Sequence, residues 1–450
     1  MTPSSETLSG WGNTAPSRAV VERPRSAEEV AGALAESAGP IIARGLGRSY
    51  GDASQCAGGT VLLNRGLWTL SAIDPSTGSV TVGAGVSLDE LLKVSIPAGF
   101  FIPVTPGTRQ VTIGGAIAAD IHGKNHHVDG SFMRHVSSMT LATPLGVEVV
   151  TETSDPALFW ATAGGMGLTG VIIDATIALL PIESSYVSVD TERFNDLDGV
   201  MDAMISGDDR YRYSVAWVDC MTAGPRLGRG VLTRADHASL DELSPRQGRR
   251  PLMAPGAAKL TVPVTAPPGL VNKLTITAFN EAWFRKAPKK RDGEIQSLST
   301  FFHPLDGISH WNRMHGPRGF LQYQFCVPDS ESQLVRSAIE RLAGAGIPSL
   351  IAVLKRFGPG DPGPLSFPIE GWTLALDVPL SPPGLPSVLD ELDELVAGAG
   401  GRLYLAKDSR LAPALLRSMY PKTEALAEVR RRVDPKGLLA SDLSRRLGID

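Results

Sequence analysis

Apolar positions first recur with a helical period over Glu28–Ser37; Gly39 and Pro40 end that run, and a short apolar strand, Ile41–Arg44, follows. Strand patterns recur at Thr60–Leu63 and Ser79–Val82. Ser87 opens a second helix, reaching about Ile96, and Glu90 completes a capping box with it. Residues 136–151 read as a hairpin around Pro144-Leu145-Gly146, Asp155 caps a helix running to Ala163, and Val171–Leu180 alternates as a strand. Near Ser185 the pattern changes. Strand-like runs at Tyr186–Val189, Tyr213–Val218, Phe320–Val327, Leu350–Leu354 and Trp372–Val378 interleave with helical runs at Asp196–Ile205, Glu331–Ala343 and Pro386–Ala397. The mixture predicts an α+β fold whose second part is an antiparallel sheet with helices on one face. Between them, Met253–Lys290 is rich in Pro and Ala and runs into the basic stretch Arg285–Arg291, which predicts a loop or lid. From Gly401 the pattern is compact again and ends in a helix carrying Arg430, Arg431 and Arg432.

Composition narrows the function classes. The chain has 450 residues, 42% hydrophobic and 20% charged, enough for a large core in two to four domains. A net charge of −4 removes the bulk cationic footprint of a nucleic-acid binder. Cys56, Cys220 and Cys326 lie far apart and form no CxxC, against a zinc ribbon or a disulfide framework. The N-terminus lacks the basic and apolar regions of a secretory signal, and no apolar run approaches the ~18 residues of a membrane span. Synthesis in the cytoplasm is the expectation. The 48 glycines and 34 prolines exceed ordinary usage and predict many tight backbone turns.

Some of those glycines cluster. Arg44-Gly45-Leu46-Gly47-Arg48-Ser49-Tyr50-Gly51-Asp52 follows a buried strand, where converging backbone N–H groups suit phosphate oxygens. Its spacing is one residue too long for a dinucleotide fingerprint. Gly165-Met166-Gly167-Leu168-Thr169-Gly170 matches G-x-G-x-x-G, but a helix precedes it and a strand follows, the reverse of an NAD site. Each loop alone reads better as a tight turn with no ligand. A third cluster, Pro106–Ala118 with Gly107, Thr112, Ile113, Gly114 and Gly115, runs into Ala119-Asp120-Ile121-His122-Gly123. The three together, in this order, resemble the vanillyl-alcohol-oxidase-like (PCMH-type) flavoproteins. Those carry R-G-x-G-x-S, then P-G-x-x-x-x-T-x-G-G-x-x-A ending in H-G, then G-G-x-G-x-x-G. Beyond them, RGLGRSYGD, TRQVTIGGAIAADIHGKNHH, GFLQYQF, LSFPIEGW, GGRLYLAKDSR and the terminal ASDLSRRL resemble the family of flavin subunits of decaprenylphosphoryl-β-D-ribose 2′-epimerase, from Gly10 to Leu447.

The resemblance implies a two-part FAD-binding domain, residues 1–184 and 402–450, and an inserted substrate domain, 185–401, with a mobile lid near 253–291. It implies FAD as a dissociable, non-covalent cofactor. Its contacts would be Ala43, Arg44, Gly45, Leu46, Gly47, Arg48, Ser49, Tyr50, Gly51, Asp52, Gly107, Thr112, Ile113, Gly114, Gly115, Ala119, Asp120, Ile121, His122, Ile172 and Tyr404. The implied activity is oxidation of a lipid-linked ribose 2′-hydroxyl to a ketone, which a separate NADH-dependent keto-reductase partner reduces, in actinobacterial cell-wall arabinan synthesis. Such a family works at the cell envelope, which implies peripheral membrane association and leaves the final compartment open.

Alcohol oxidation needs a hydride acceptor, a base and stabilisation of the reduced flavin's charge. Lys407, beside Tyr404, is the first catalytic candidate. An unperturbed lysine near ~10.4 is neutral only about once in a few thousand at pH 7, which favours an electrostatic role; a surface lysine paired with Asp408 is the plain alternative. His122 is the other candidate base. His122, His126 and His127 have no acid or cysteine to complete a metal site, and Gly123 speaks against a helix there. By resemblance, Lys124, Trp217, Phe302, Gln322, Gln324, Lys355 and Ala375 line the substrate pocket. Lys124 and Lys355 suit a phosphate; Trp217 fits core packing equally well. Strand alternation puts Gln322 and Gln324 on one face and Leu321, Tyr323 and Phe325 on the other. The sequence departs from its relatives at Ala375, where mycobacterial members carry a cysteine, at Phe302, where a tyrosine is expected, and at Val215 and Thr373. Leu270–Arg291 joins apolar residues to a basic run and reads either as an interfacial lid or as a solvated loop. The alternatives to a lipid-linked ribose oxidase are an aldonolactone or sugar-alcohol oxidase on the same scaffold, a cell-wall enolpyruvyl reductase that shares the architecture, and a non-catalytic flavin-binding subunit.

Overall fold

A computed structural model of the protein describes residues 4–449. Helix starts follow from capping chemistry. Ser87 Oγ accepts from Glu90 N, and the Glu90 carboxylate accepts from Ser87 N at 2.7 Å, so helix Leu88–Ser95 begins with two of its free donors satisfied. Ser26, Thr112, Asp155 and Asp196 cap Ala27–Glu36, Ile113–Ala118, Pro156–Thr162 and Leu197–Gly207, each side chain accepting one backbone N–H.

The strands sort into three main sheets. The first has the order Ser4–Leu8, Ser17–Glu22, Thr60–Leu63, Ile41–Arg44; its last three strands run parallel. The second, Ser79–Gly83, Val171–Ala178, Val136–Thr143, Gly146–Val150, is antiparallel throughout. The third is antiparallel, with eight strands in the order Lys290–Ser297, Tyr186–Phe194, Gly230–His237, Tyr213–Val218, Ala352–Phe357, Gly371–Pro379, Phe320–Pro328, Arg402–Leu403. The strand Arg402–Leu403 closes that sheet and leads the chain back against the first glycine loop, where Tyr50 N donates to Ala406 O at 2.9 Å.

Strand period two gives this large sheet two unlike faces. Tyr323 points to the helix side and donates to Asp393 of helix Leu385–Gly398 at 3.0 Å. Leu389, Leu392 and Val396 of that helix are fully buried, at about 1.5–3 kcal/mol each. Helices Gln333–Gly344 and Leu197–Gly207 pack on the same sheet. Gln322 and Gln324 point the other way, toward the glycine-rich segments.

Two expectations change here. Residues 253–291 are not one loop: Asn272 caps a helix, Lys273–Lys286, which buries Ile276, Asn280 and Phe284 at i, i+4 and i+8, and Lys290 begins the edge strand of the large sheet. The Pro- and Ala-rich flank hides that stripe. His126–Asp129 forms one helical turn that leaves His122 and Gly123 outside it. The chain's last helix is Asp442–Leu447, beyond Thr423–Val433 and its three arginines.

Candidate active site

The first glycine loop is held by contacts that only glycine permits. Gly47 lies at φ +63°, and a Cβ on Gly51 would overlap the carbonyl oxygen of Asp408. From Ala43 to Ser49 the chain is half-exposed in an unbroken row between buried Ile42 and Tyr50, as a segment lining a groove would be. Gly107 and Gly115 of the second cluster are exposed, and a Cβ on Gly45 would strike the Thr112 side chain, so the two clusters share one wall. Arg48 Nε donates to Gln110 O at 3.1 Å and its guanidinium stacks 3.9 Å over Trp11. The third turn closes on this wall from behind: Met166 N donates to Ala118 O at 2.9 Å. Such a backbone cradle, with few side chains in the way, fits a dinucleotide such as FAD. The side chains of three members of the expected set are engaged by the scaffold. Arg44 donates to Ser54 O and Ser9 O, Asp52 is paired with Arg446 at 2.9 and 3.0 Å, and the Asp120 carboxyl is fully buried. Ile172 is buried in the core.

Against the cradle stands one face of the eight-stranded sheet. Directly paired residues share a face, so the register Trp217–Val353–Ala375–Gln324 forms a single row across four strands. Period two adds Val215, Lys355, Thr373, Asp377 and Gln322 to the same face. Trp217, Val353, Lys355 and Ala375 are half-exposed, while Ala216, Val218, Ala352, Leu354, Leu374 and Leu376, pointing to the helices, are buried. Gln324 donates through Nε2 to His122 Nε2 at 3.0 Å and to Thr373 Oγ1 at 3.3 Å. Gln322 Nε2 donates to Asp377 Oδ1 at 2.5 Å and approaches the Tyr50 hydroxyl at 3.4 Å. Tyr404 donates to Ala119 O at 2.8 Å, and its ring stacks 4.7 Å from Phe367. A crevice at the sheet's end, running past both faces of the strand, is lined by Leu321, Gln322, Tyr323, Gln324, Leu403, Tyr404 and Lys407 through Arg410. A separate polar cavity of about 260 Å³, lined by residues such as Asp190, Arg234 and Lys290, lies at the other end of the sheet and holds none of these residues.

The electrostatics here are one-sided. Burial pushes Lys124 and Lys355 down to about 7, and each feels a further lysine: Lys355 acts on Lys124, and Lys407 acts on Lys355. Burial brings Lys407 to about 8 against the upward pull of Asp377, whose own carboxyl burial lifts to about 7. Lys407 Nζ sits 4.0 Å over the Tyr50 ring, not in a surface pair with Asp408, which binds Arg446. His122 is driven well below its ordinary value by burial and then by Lys355, so it is neutral. Its Nε2 already accepts from Gln324 and its Nδ1 is buried without a partner, which makes it a poor proton acceptor. Lys124 Nζ donates to Phe301 O, and Lys355 Nζ to Gly123 O at 3.4 Å. Phe302 packs inward on Tyr213 and Phe101, with Lys124 Nζ 5.7 Å from its ring.

A sequence model of the FAD binding domain matches residues 18–152. Decaprenylphosphoryl-β-D-ribose oxidase of Mycolicibacterium smegmatis is 45% identical over 447 residues, 98% of this chain and 97% of that one. The chain belongs to the decaprenylphosphoryl-β-D-ribose oxidase family. An uncharacterized protein of Streptomyces coelicolor is 41% identical over 81% of this chain and all of its own length. L-gulono-1,4-lactone dehydrogenase of Mycobacterium tuberculosis is 22% identical over 95% of both chains. As a member of this oxidase family the protein is an FAD-dependent oxidoreductase acting on a CH–OH group, with FAD as its cofactor. No helix among the described residues is long and apolar enough to cross a membrane.

Two residues of this constellation escaped the sequence. Asp377 stands two places along the strand from the pocket candidate Ala375, as Thr373 does on its other side, and period two applied to that strand would have marked it. Arg446, which joins Asp52 to Asp408, carries no local signal, because its partners are 394 and 38 residues away.

Proposed function

We propose that the protein oxidises the 2′-hydroxyl of decaprenylphosphoryl-β-D-ribofuranose to a 2′-ketone, the first half of an epimerisation that an NADH-dependent keto-reductase partner completes. The observation that carries this is the lysine cluster. Lys124 feels the charge of Lys355, Lys355 feels that of Lys407, Asp377 is the acid that acts on Lys407, and partial burial disfavours the charge on each of the three lysines. A phosphate entering there restores those charges and gains charge-assisted hydrogen bonds. Gulonolactone has no phosphate and leaves Lys124 and Lys355 uncompensated.

In this proposal residues 1–184 and 402–450 bind FAD and residues 185–401 bind the substrate. Bound FAD supplies the acceptor for the hydride leaving C2′. The chain supplies the rest. Lys124 and Lys355 hold the phosphate, Gln324 and neutral His122 orient the sugar, and Trp217 and Ala375 shape the wall beside them. Lys407 takes the hydroxyl proton. With its value near 8, about a tenth of Lys407 is neutral at pH 7, several hundred-fold more than for an unperturbed lysine. Asp377, whose carboxylate pulls on Lys407, offers the proton a next position.

The lipid tail calls for a surface at which to meet the enzyme. Helix Lys273–Lys286 exposes Leu274, Phe279 and Trp283, and residues 253–291 carry seven Lys or Arg against the single acid Glu281 in a chain of net charge −4. Rings toward lipid and cations toward anionic head groups suit peripheral attachment beside the substrate domain. The test is kinetic. Lys355→Ala or Lys124→Ala should raise KM for a short-chain polyprenylphosphoryl ribose about tenfold or more, with kcat changed far less, as the loss of a charged hydrogen bond requires. An unchanged KM in both would remove the phosphate assignment.

A further inference from the structure

Beside His122 and Tyr404 the fold buries a second pair of acids that the oxidation does not use. Asp120 follows helix Ile113–Ala118, lies at φ +39° and is fully buried. Its Oδ2 accepts from Ser366 Oγ at 2.5 Å and its Oδ1 from Met133 N at 3.3 Å. Asp361, whose side chain is also fully buried, accepts through Oδ1 from Arg134 Nε at 2.5 Å. Asp361 Oδ2 is buried and forms no hydrogen bond, and the Asp120 carboxyl and the Ser131 hydroxyl both act on the Asp361 carboxyl. Two ionised carboxylates there would repel, and neither has an N–H to offer.

The pair sits where three site segments meet. Asp120 is two residues from His122. Ser366 precedes Phe367, whose ring stacks on Tyr404 and tilts 5.5 Å from His122, and Ser366 O accepts from Arg402 Nη1 at 2.7 Å. We propose that Asp120 and Asp361 hold one proton between them and act as a positioning pair: the Asp120 carboxyl donates to Asp361 Oδ2, which locks the turn 119–122 onto the segment 358–367 and thereby sets where His122, Phe367 and Tyr404 stand. The charged and titratable groups around the pair agree with a single proton. Arg134, itself partly exposed, balances one negative charge on Asp361; His135, nearby, is held down by burial; Tyr404 feels Asp120 only as a further push upward. Burial lifts Asp120 to about 7 and also raises Asp361 against the pull of Arg134.

The sign follows. The folded value of Asp120 lies above its unfolded value near ~4, so its contribution to stability is complete below about 4 and is lost as pH rises through about 7. Asparagine at position 361 offers a permanent N–H donor with no charge. The test therefore follows the visible absorption and fluorescence of bound flavin in the FAD-loaded protein from pH 5 to 9, without substrate, so its failure is separable from failure of the substrate assignment. The wild type should show a spectral step centred near 7, and Asp361→Asn should keep the low-pH spectrum throughout. Asp361→Ala should give the perturbed spectrum at every pH, and the wild-type Tm should fall relative to that of Asp361→Asn as pH rises. Asp120→Asn, which keeps a donor on the other side, should also lose the step and serves if Asp361→Asn does not fold. The pair is refuted by a wild type without a step, by a step that survives in the asparagine variants, or by an Asp361→Ala spectrum equal to wild type at pH 5.

Discussion

Lys407 directly follows Ala406, whose O receives Tyr50 N, and its own N donates to Tyr404 O at 2.8 Å, so its ammonium is delivered by a backbone fixed at both residues. Removing it should separate chemistry from binding: Lys407→Ala should still bind FAD but reduce it at least about a hundredfold more slowly in anaerobic stopped-flow, the usual scale for a lost general base. The pH dependence has a definite sign. A base must be neutral to act, so kcat should rise with pH through about 8. Lys124 and Lys355 must be charged to hold a phosphate, so KM should rise on the alkaline side. A kcat that falls with pH between 6 and 8 would assign the base elsewhere. Sequence alone favoured an electrostatic Lys407 because a lysine's ordinary value makes a poor base; the burial that lowers it is a property of the assembled site.

Elements decide how the segments meet. Arg446, on the last helix, binds Asp52 of the first glycine loop and Asp408 of the turn after the Arg402–Leu403 strand. Asp408 is nearly sealed from water, so Arg446→Ala leaves it an unpaired buried charge and should cost about 3 kcal/mol, read as a lower Tm together with faster FAD loss. The glycine loops, the capped helices and the face of Gln322 and Gln324 were legible because each is written in local spacing. Helix Lys273–Lys286 was not, since its buried stripe is three residues within a Pro- and Ala-rich flank. Asp361 and Arg446 were not either: each matters through a partner more than 200 residues away in sequence.

At the scale of the molecule, one buried apolar cluster runs from Ile42 through Phe302 and Leu376 to Leu447, so cradle and sheet share a core and face each other across the site. The outer helix of the sheet domain carries the exposed rings and the cations. The protein should therefore co-sediment with anionic vesicles and less so as salt rises, and Phe279→Ser with Trp283→Ser should weaken that binding by about tenfold or more. Equal binding to neutral vesicles, or no effect of the double change, would place the membrane contact elsewhere.

The most direct measurement is anaerobic bleaching of the bound flavin near 450 nm. The FAD-loaded protein is mixed in turn with a synthetic polyprenylphosphoryl ribose, free ribose and L-gulono-1,4-lactone. The lipid-linked phosphosugar should bleach the flavin and yield the 2′-ketone, while free ribose and the lactone leave it oxidised. Bleaching by the lactone with none by the phosphosugar would contradict the proposed activity.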